Sequence, residues 1–132
     1  MRPEERDAAY LWDMLHAARD AAAVTSGLTE QQLRHDRMRV LALERSMELI
    51  GEAARRVSGK FREKHSQIAW REMIGLRNIL AHEYGRVDYA RLYATAMKNL
   101  PELIEALEKL LDRKSTRLNS SHIQKSRMPS SA

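Results

Sequence analysis

The chain has 132 residues, a formal net charge of +5, 43% hydrophobic and 31% charged side chains, and no cysteine. That length suits one domain and is short for two separate cores, and the absence of thiols excludes both a disulfide framework and a thiolate metal site. Five glycines, three prolines and one phenylalanine leave alanine and straight-chain residues dominant, which favours an all-α fold over sheet.

The amino terminus, MRPEERDAAY, is charged and lacks a secretory apolar region, which makes the cytoplasm the default compartment. No apolar run approaches the roughly 20 residues needed to span a bilayer. A first helix is predicted from near Pro3, a residue tolerated in a first turn, with Leu11, Leu15, Ala18 and Ala22 as its apolar stripe. It stops near Thr25-Ser26-Gly27. Thr29 and Gln32 then form a capping box that opens a second helix, predicted to run to about Val57. Leu33, Val40, Met47 and Ala54 recur along it every seven residues, interleaved with Leu43, Ile50 and Val57, as a bundle seam requires. Gly59 ends it, and KFREKHSQ reads as a polar link. A third helix is expected from about Ile68 to Tyr84 and a fourth from near Asp88, an N-cap type. Pro101 should kink or split the fourth, because proline loses a backbone donor and clashes with the preceding turn. Four or five helices joined by short connections make an up-and-down bundle. Core packing is expected for Trp12 and Trp70, while the scattered His16, His35 and His65 read as surface or boundary residues.

From Asp112 the text changes to a serine-rich stretch without helical apolar period. Residues 112–122 and 126–132 match, residue for residue, the translation of the two constant segments of a commercial sequencing adapter. Residues 112–132 are therefore expected to be a non-native, disordered tail, and the domain to comprise residues 1–111. The tail carries Arg113, Lys114, Arg117, Lys125 and Arg127 against one acid, Asp112. Without it the chain is almost neutral, so bulk charge does not argue for nucleic acid and a local site must.

The stretch RNILAHEY, residues 77–84, is the strongest local signal. On a wheel of about 100° per residue, Arg77, Asn78, His82 and Tyr84 lie away from the arc of Met73, Leu76, Ile79 and Leu80. Ala81 and Gly85 leave a small-residue gap among them. Arg77 and His82 are roughly 140° apart, so they would converge best around a phosphate or across a two-fold dimer interface. Histidine can move a proton to or from a ribose oxygen, arginine can stabilise charge on phosphorus, and asparagine can orient either. This chemistry suits metal-free cleavage of RNA. By spacing alone, an Arg followed five residues later by His is weak evidence, and a solvated helix face with Arg77 paired to some acid is the favoured reading. Glu52 can pair with an arginine such as Arg77 or help shape a dimer cleft, and an ordinary solvated glutamate fits equally.

The pattern of Arg77, Asn78, His82 and Tyr84, with IGEAARRVS at residues 50–58, Trp70-Arg71 and LPELIEAL at residues 100–107, resembles the HepT toxins. These are HEPN-domain ribonucleases paired with MntA, a minimal nucleotidyltransferase antitoxin. The resemblance implies a HEPN-type helical bundle of four to five helices and a homodimer whose cleft unites two copies of the motif. It also implies an endoribonuclease that cuts RNA, tRNA being the expected substrate, with no cofactor and no metal. Arg77 and His82 would be catalytic, Asn78 would orient substrate, and Tyr84 would accept AMP from the antitoxin and so switch the enzyme off. A second reading from another class is a non-catalytic helical partner that presents substrate for the nucleotidyltransferase.

Overall fold

The computed structural model describes the backbone of residues 3–119 and the side chains of residues 5–112 apart from that of Tyr84. Among the described residues the chain is all-α, in the order α1 (Pro3–Thr25), α2 (Glu30–Arg34), α3 (Arg37–Arg56), α4 (Gly59–Lys64), α5 (Trp70–His82), a 3-10 turn (Tyr84–Arg86) and α6 (Tyr89–Asn119). None of these helices is long and apolar enough to cross a membrane.

Local chemistry explains most of the boundaries. Gly27 takes a left-handed conformation at φ +75°, which a residue without a Cβ adopts at little cost just past a helix end. The capping box at Thr29 is present, its hydroxyl accepting from the Gln32 amide while the Gln32 side chain accepts from the Thr29 amide. The predicted long second helix is interrupted, however. Asp36 accepts from the Arg39 amide at 3.2 Å and opens α3 as a separate element, because a short acidic side chain can satisfy the first free donors of a new helix. KFREKHSQ is likewise no simple link. Ser58 caps α4 by accepting from the Phe61 amide while its own amide and hydroxyl donate to the buried Asp7 at 2.9 and 2.7 Å, which ties the start of α1 to the end of α3.

α6 is continuous through Pro101 rather than split. Met97 and Pro101 are both exposed, so water can serve the carbonyl that loses its donor. The helix also runs on to Asn119, past the expected domain end; residues 120–132 lie outside the described residues.

The core joins Leu11, Met14, Leu15 and Ala18 of α1 to Leu43, Met47 and Ile50 of α3 and to Leu92, Leu100, Leu107 and Leu111 of α6. α1 packs against α3 and α6, and α3 carries α5 on its other flank. Trp70 is buried, its indole donating to the His65 carbonyl at 3.0 Å and its edge meeting Phe61. Trp12 departs from expectation: 39% exposed, it stacks on His16 at the outer face of α1. It lies about 100° round the helix from Leu11, outside the arc that Leu11, Met14, Leu15 and Ala18 turn to the core.

The α3–α5 contact is tight at Gly51. A Cβ built there would stand 2.3 Å from the Cβ of Arg77 and 2.5 Å from the Met73 carbonyl oxygen. Neither is a flexible chain end, so a side chain at residue 51 must push the helices apart. Gly51→Ala is expected to destabilise the fold by about 1–3 kcal/mol in urea unfolding, as overpacked sites do. Gly85→Ala, where a Cβ meets nothing within 4 Å, should stay within about 0.5 kcal/mol of the parent.

Candidate active site

α5 is anchored by Trp70 and Leu80, with Met73, Ile74 and Leu76 packed half-buried against the core. Arg77 sits about 40° round the helix from Met73, at the border of this apolar arc. Its side chain therefore does not stand clear of the core, as the wheel suggested, but lies along α3 over Gly51. Only 17% of it is exposed, and its Nη2 donates to Glu52 Oε1 at 2.8 Å. Nη1 donates to Asn78 Oδ1 at 3.0 Å. Asn78, itself exposed, thus orients the arginine.

Glu52 is the centre of this cluster. Its Oε2 accepts from Arg56 Nε and Nη2 at 3.2 and 3.0 Å, and its Oε1 from Arg55 Nε at 3.4 Å. Partial burial opposes ionisation of the carboxyl, but the Arg56 hydrogen bond and the charges of Arg77 and Arg55 outweigh it and hold the pKa below its ordinary value. The Glu52 and Tyr10 hydrogen bonds push Arg56 upward in turn. Three guanidinium groups around one carboxylate leave the patch cationic.

His82 is exposed and is the last residue of α5. Among the described residues no hydrogen bond joins it to Arg77. The two are five residues apart, about 7.5 Å along the helix axis. Tyr84 opens the 3-10 turn just beyond; its side chain lies outside the described residues. The structure thus gathers Arg77, Asn78 and Glu52, and sets His82 one and a half turns away. Gly51 is the neighbour of Arg77 that spacing along α5 could not name. Its signal was the small-residue run Gly51, Ala53 and Ala54 beside Glu52.

His16, His35 and His65 stand apart, stacked on Trp12, bonded to the Gln31 carbonyl and tilted against Phe61 respectively. Among the described residues no three His, Asp or Glu side chains form a group able to hold a metal ion. On the opposite side of α5 a groove of about 710 Å³ separates it from α6, lined in part by Met73, Leu76, Ile79 and Leu92.

A family model described as "Ribonuclease HepT-like" matches residues 14–110, a span that holds α3 and α5 whole. A Methanocaldococcus jannaschii protein named as an RNase by inference is 36% identical over 100 residues, 76% of this chain and 92% of that protein. One from Caldanaerobacter subterraneus subsp. tengcongensis, named in the same way, is 34% identical over 104 residues, 79% of this chain and 93% of its own. A Thermococcus cleftensis protein named "Probable ribonuclease HepT" is 33% identical over 101 residues, 76% and 92% of the two chains. No solved structure matches.

The depressed pKa of Glu52 fixes the sign of a stability effect. Its ion pairs contribute fully above the ordinary carboxylate value of 4.5 and are lost as pH falls through the lower folded-state value. Glu52→Gln should therefore lower Tm at pH 7, and the gap from the parent should close as thermal scans descend below pH 4.5. A gap unchanged down to about pH 2 would rule the effect out.

Proposed function

The chain belongs to the HepT-like ribonuclease family, and from that premise we propose that it is a metal-independent endoribonuclease, the toxin of a toxin-antitoxin pair. The observation that carries this reading is the Arg77 guanidinium, held between Glu52 and Asn78 on the helix that ends in an exposed His82. Arginine and histidine together supply what phosphodiester transfer within RNA requires.

In this mechanism the ribose 2′-oxygen attacks phosphorus while the bond from phosphorus to the 5′-oxygen breaks. In the proposed dimer one His82 imidazole takes the 2′-hydroxyl proton and the other, protonated, gives a proton to the leaving 5′-oxygen. Arg77 stabilises the negative charge that gathers on the non-bridging oxygens. The products are a 2′,3′-cyclic phosphate and a 5′-hydroxyl. Within one chain Arg77 and His82 point roughly 140° apart, which supports a homodimer in which two motifs face one cleft.

Tyr84, directly after the C-cap of α5, is the proposed acceptor for AMP from an MntA-like nucleotidyltransferase antitoxin. An AMP group brings bulk and a phosphate charge next to His82, where it would compete with RNA. The proposed domain closes near residue 111. The family match ends at residue 110 and Leu111 is the last buried core residue described.

Purified protein is expected to cut RNA, tRNA first among the substrates, in the presence of EDTA. Arg77→Ala and His82→Ala should each lower kcat by about 10²-fold or more and relieve growth inhibition on expression. Tyr84→Phe should keep cleavage and lose AMP acceptance, read by mass spectrometry with the neighbouring nucleotidyltransferase. Full cleavage by both the arginine and the histidine variants would reject the proposal.

A further inference from the structure

We propose that Glu52, reaching across from α3, is the positioning residue that aims the Arg77 guanidinium at the scissile phosphate. The inference rests on the catalytic reading of Arg77 and adds a residue from a different helix to it.

The pair is unlike the other ion pairs of the molecule. Most of those described are local pairs three or four residues apart on exposed helix faces, which contribute little. Among the described residues only Arg19–Glu108 and Arg77–Glu52 join different helices, and the first links two side chains that are each 48% exposed. Arg77 and Glu52 are 17% and 28% exposed and 2.8 Å apart. Their approach depends on Gly51, whose missing side chain is the space that the stem of Arg77 occupies. Arg77 Nε is out of solvent with no hydrogen-bond partner, so the stem is enclosed and only the terminal nitrogens are directed by partners.

The donor inventory then decides what the arginine can still do. A guanidinium carries five N–H groups in a rigid planar fork. Glu52 takes one on Nη2 and Asn78 one on Nη1, which leaves one on each terminal nitrogen for phosphate oxygens. Glu52 does not neutralise the site, because Arg55 and Arg56 share the same carboxylate. Those two arginines keep Glu52 charged and leave the patch attractive to RNA. The carboxylate therefore orients one cation within a cluster that stays positive. Removing it frees the guanidinium to rotate without removing its charge.

The test combines single-turnover RNA cleavage with NMR of the Arg77 side chain in the full chain, for the parent, Glu52→Gln, Glu52→Asp, Arg77→Ala and the double variant Glu52→Gln with Arg77→Ala. Positioning predicts that Glu52→Gln lowers kcat about 10- to 100-fold, as a misaimed catalytic group does, with KM for RNA unchanged or lower. Glu52→Asp should recover part of the loss, and Glu52→Gln should cost under about twofold where Arg77 is already alanine. In NMR the Arg77 Nη–H signals should be slow to rotate and to exchange in the parent and averaged in Glu52→Gln. The Glu52 proposal is overturned by a kcat within about twofold of the parent, by equal losses with and without Arg77, or by Nη–H signals that persist in Glu52→Gln. If Arg77→Ala cleaves like the parent, the catalytic reading itself fails, and the NMR comparison still decides whether Glu52 holds the guanidinium.

Discussion

The arrangement of the site depends on how closely α3 and α5 cross at Gly51. With no Cβ on α3 at that point, the Arg77 stem lies in the contact and the backbone of α5 comes to rest on α3 at Met73. Such packing leaves little freedom for substitution, since interiors are dense and neighbours give way at a cost. The same contact brings Glu52, the next residue on α3, into reach of the arginine head. One glycine therefore couples a packing constraint to an electrostatic one.

The electrostatics follow from that geometry. An arginine paired to a lone carboxylate would make a weak site for another anion. Here Arg55 and Arg56 lie within the same helix as Glu52, about one turn away, and share its two oxygens. Local helical spacing thus surrounds one acid with bases, while tertiary packing adds the third, Arg77. The cluster is ordered and still cationic. His82, by contrast, stands exposed as the last residue of α5, outside the cluster.

Much of this was legible in the residues. Composition and heptad spacing were enough for an all-α bundle, because helix periodicity is a local property that packing had no reason to override. The Thr29–Gln32 capping box was readable for the same reason. The break at Asp36 and the short α4 were not. Heptad spacing from Leu33 through Val40 to Met47 runs past the first, the polar KFREKHSQ hides the second, and Asp7, far away in sequence, is part of what holds Ser58 at the start of α4. Trp12 shows the limit of ranking residues by hydrophobicity, since its place on the wheel outweighed its apolar character. Pro101 shows another: exposure of the turn around it lets the helix continue.

The sequence by itself determined the helical fold class, the capping box at Thr29 and the identity of the chemical groups on α5, since all three depend on residues within a few positions of one another. It left open whether Glu52 was a solvated side chain or the partner of Arg77. Only the tertiary structure decided that, by bringing α3 and α5 together at a glycine. The physical reason is distance: residues 25 apart in sequence meet only after the chain has packed, and spacing along either helix carries no record of that meeting.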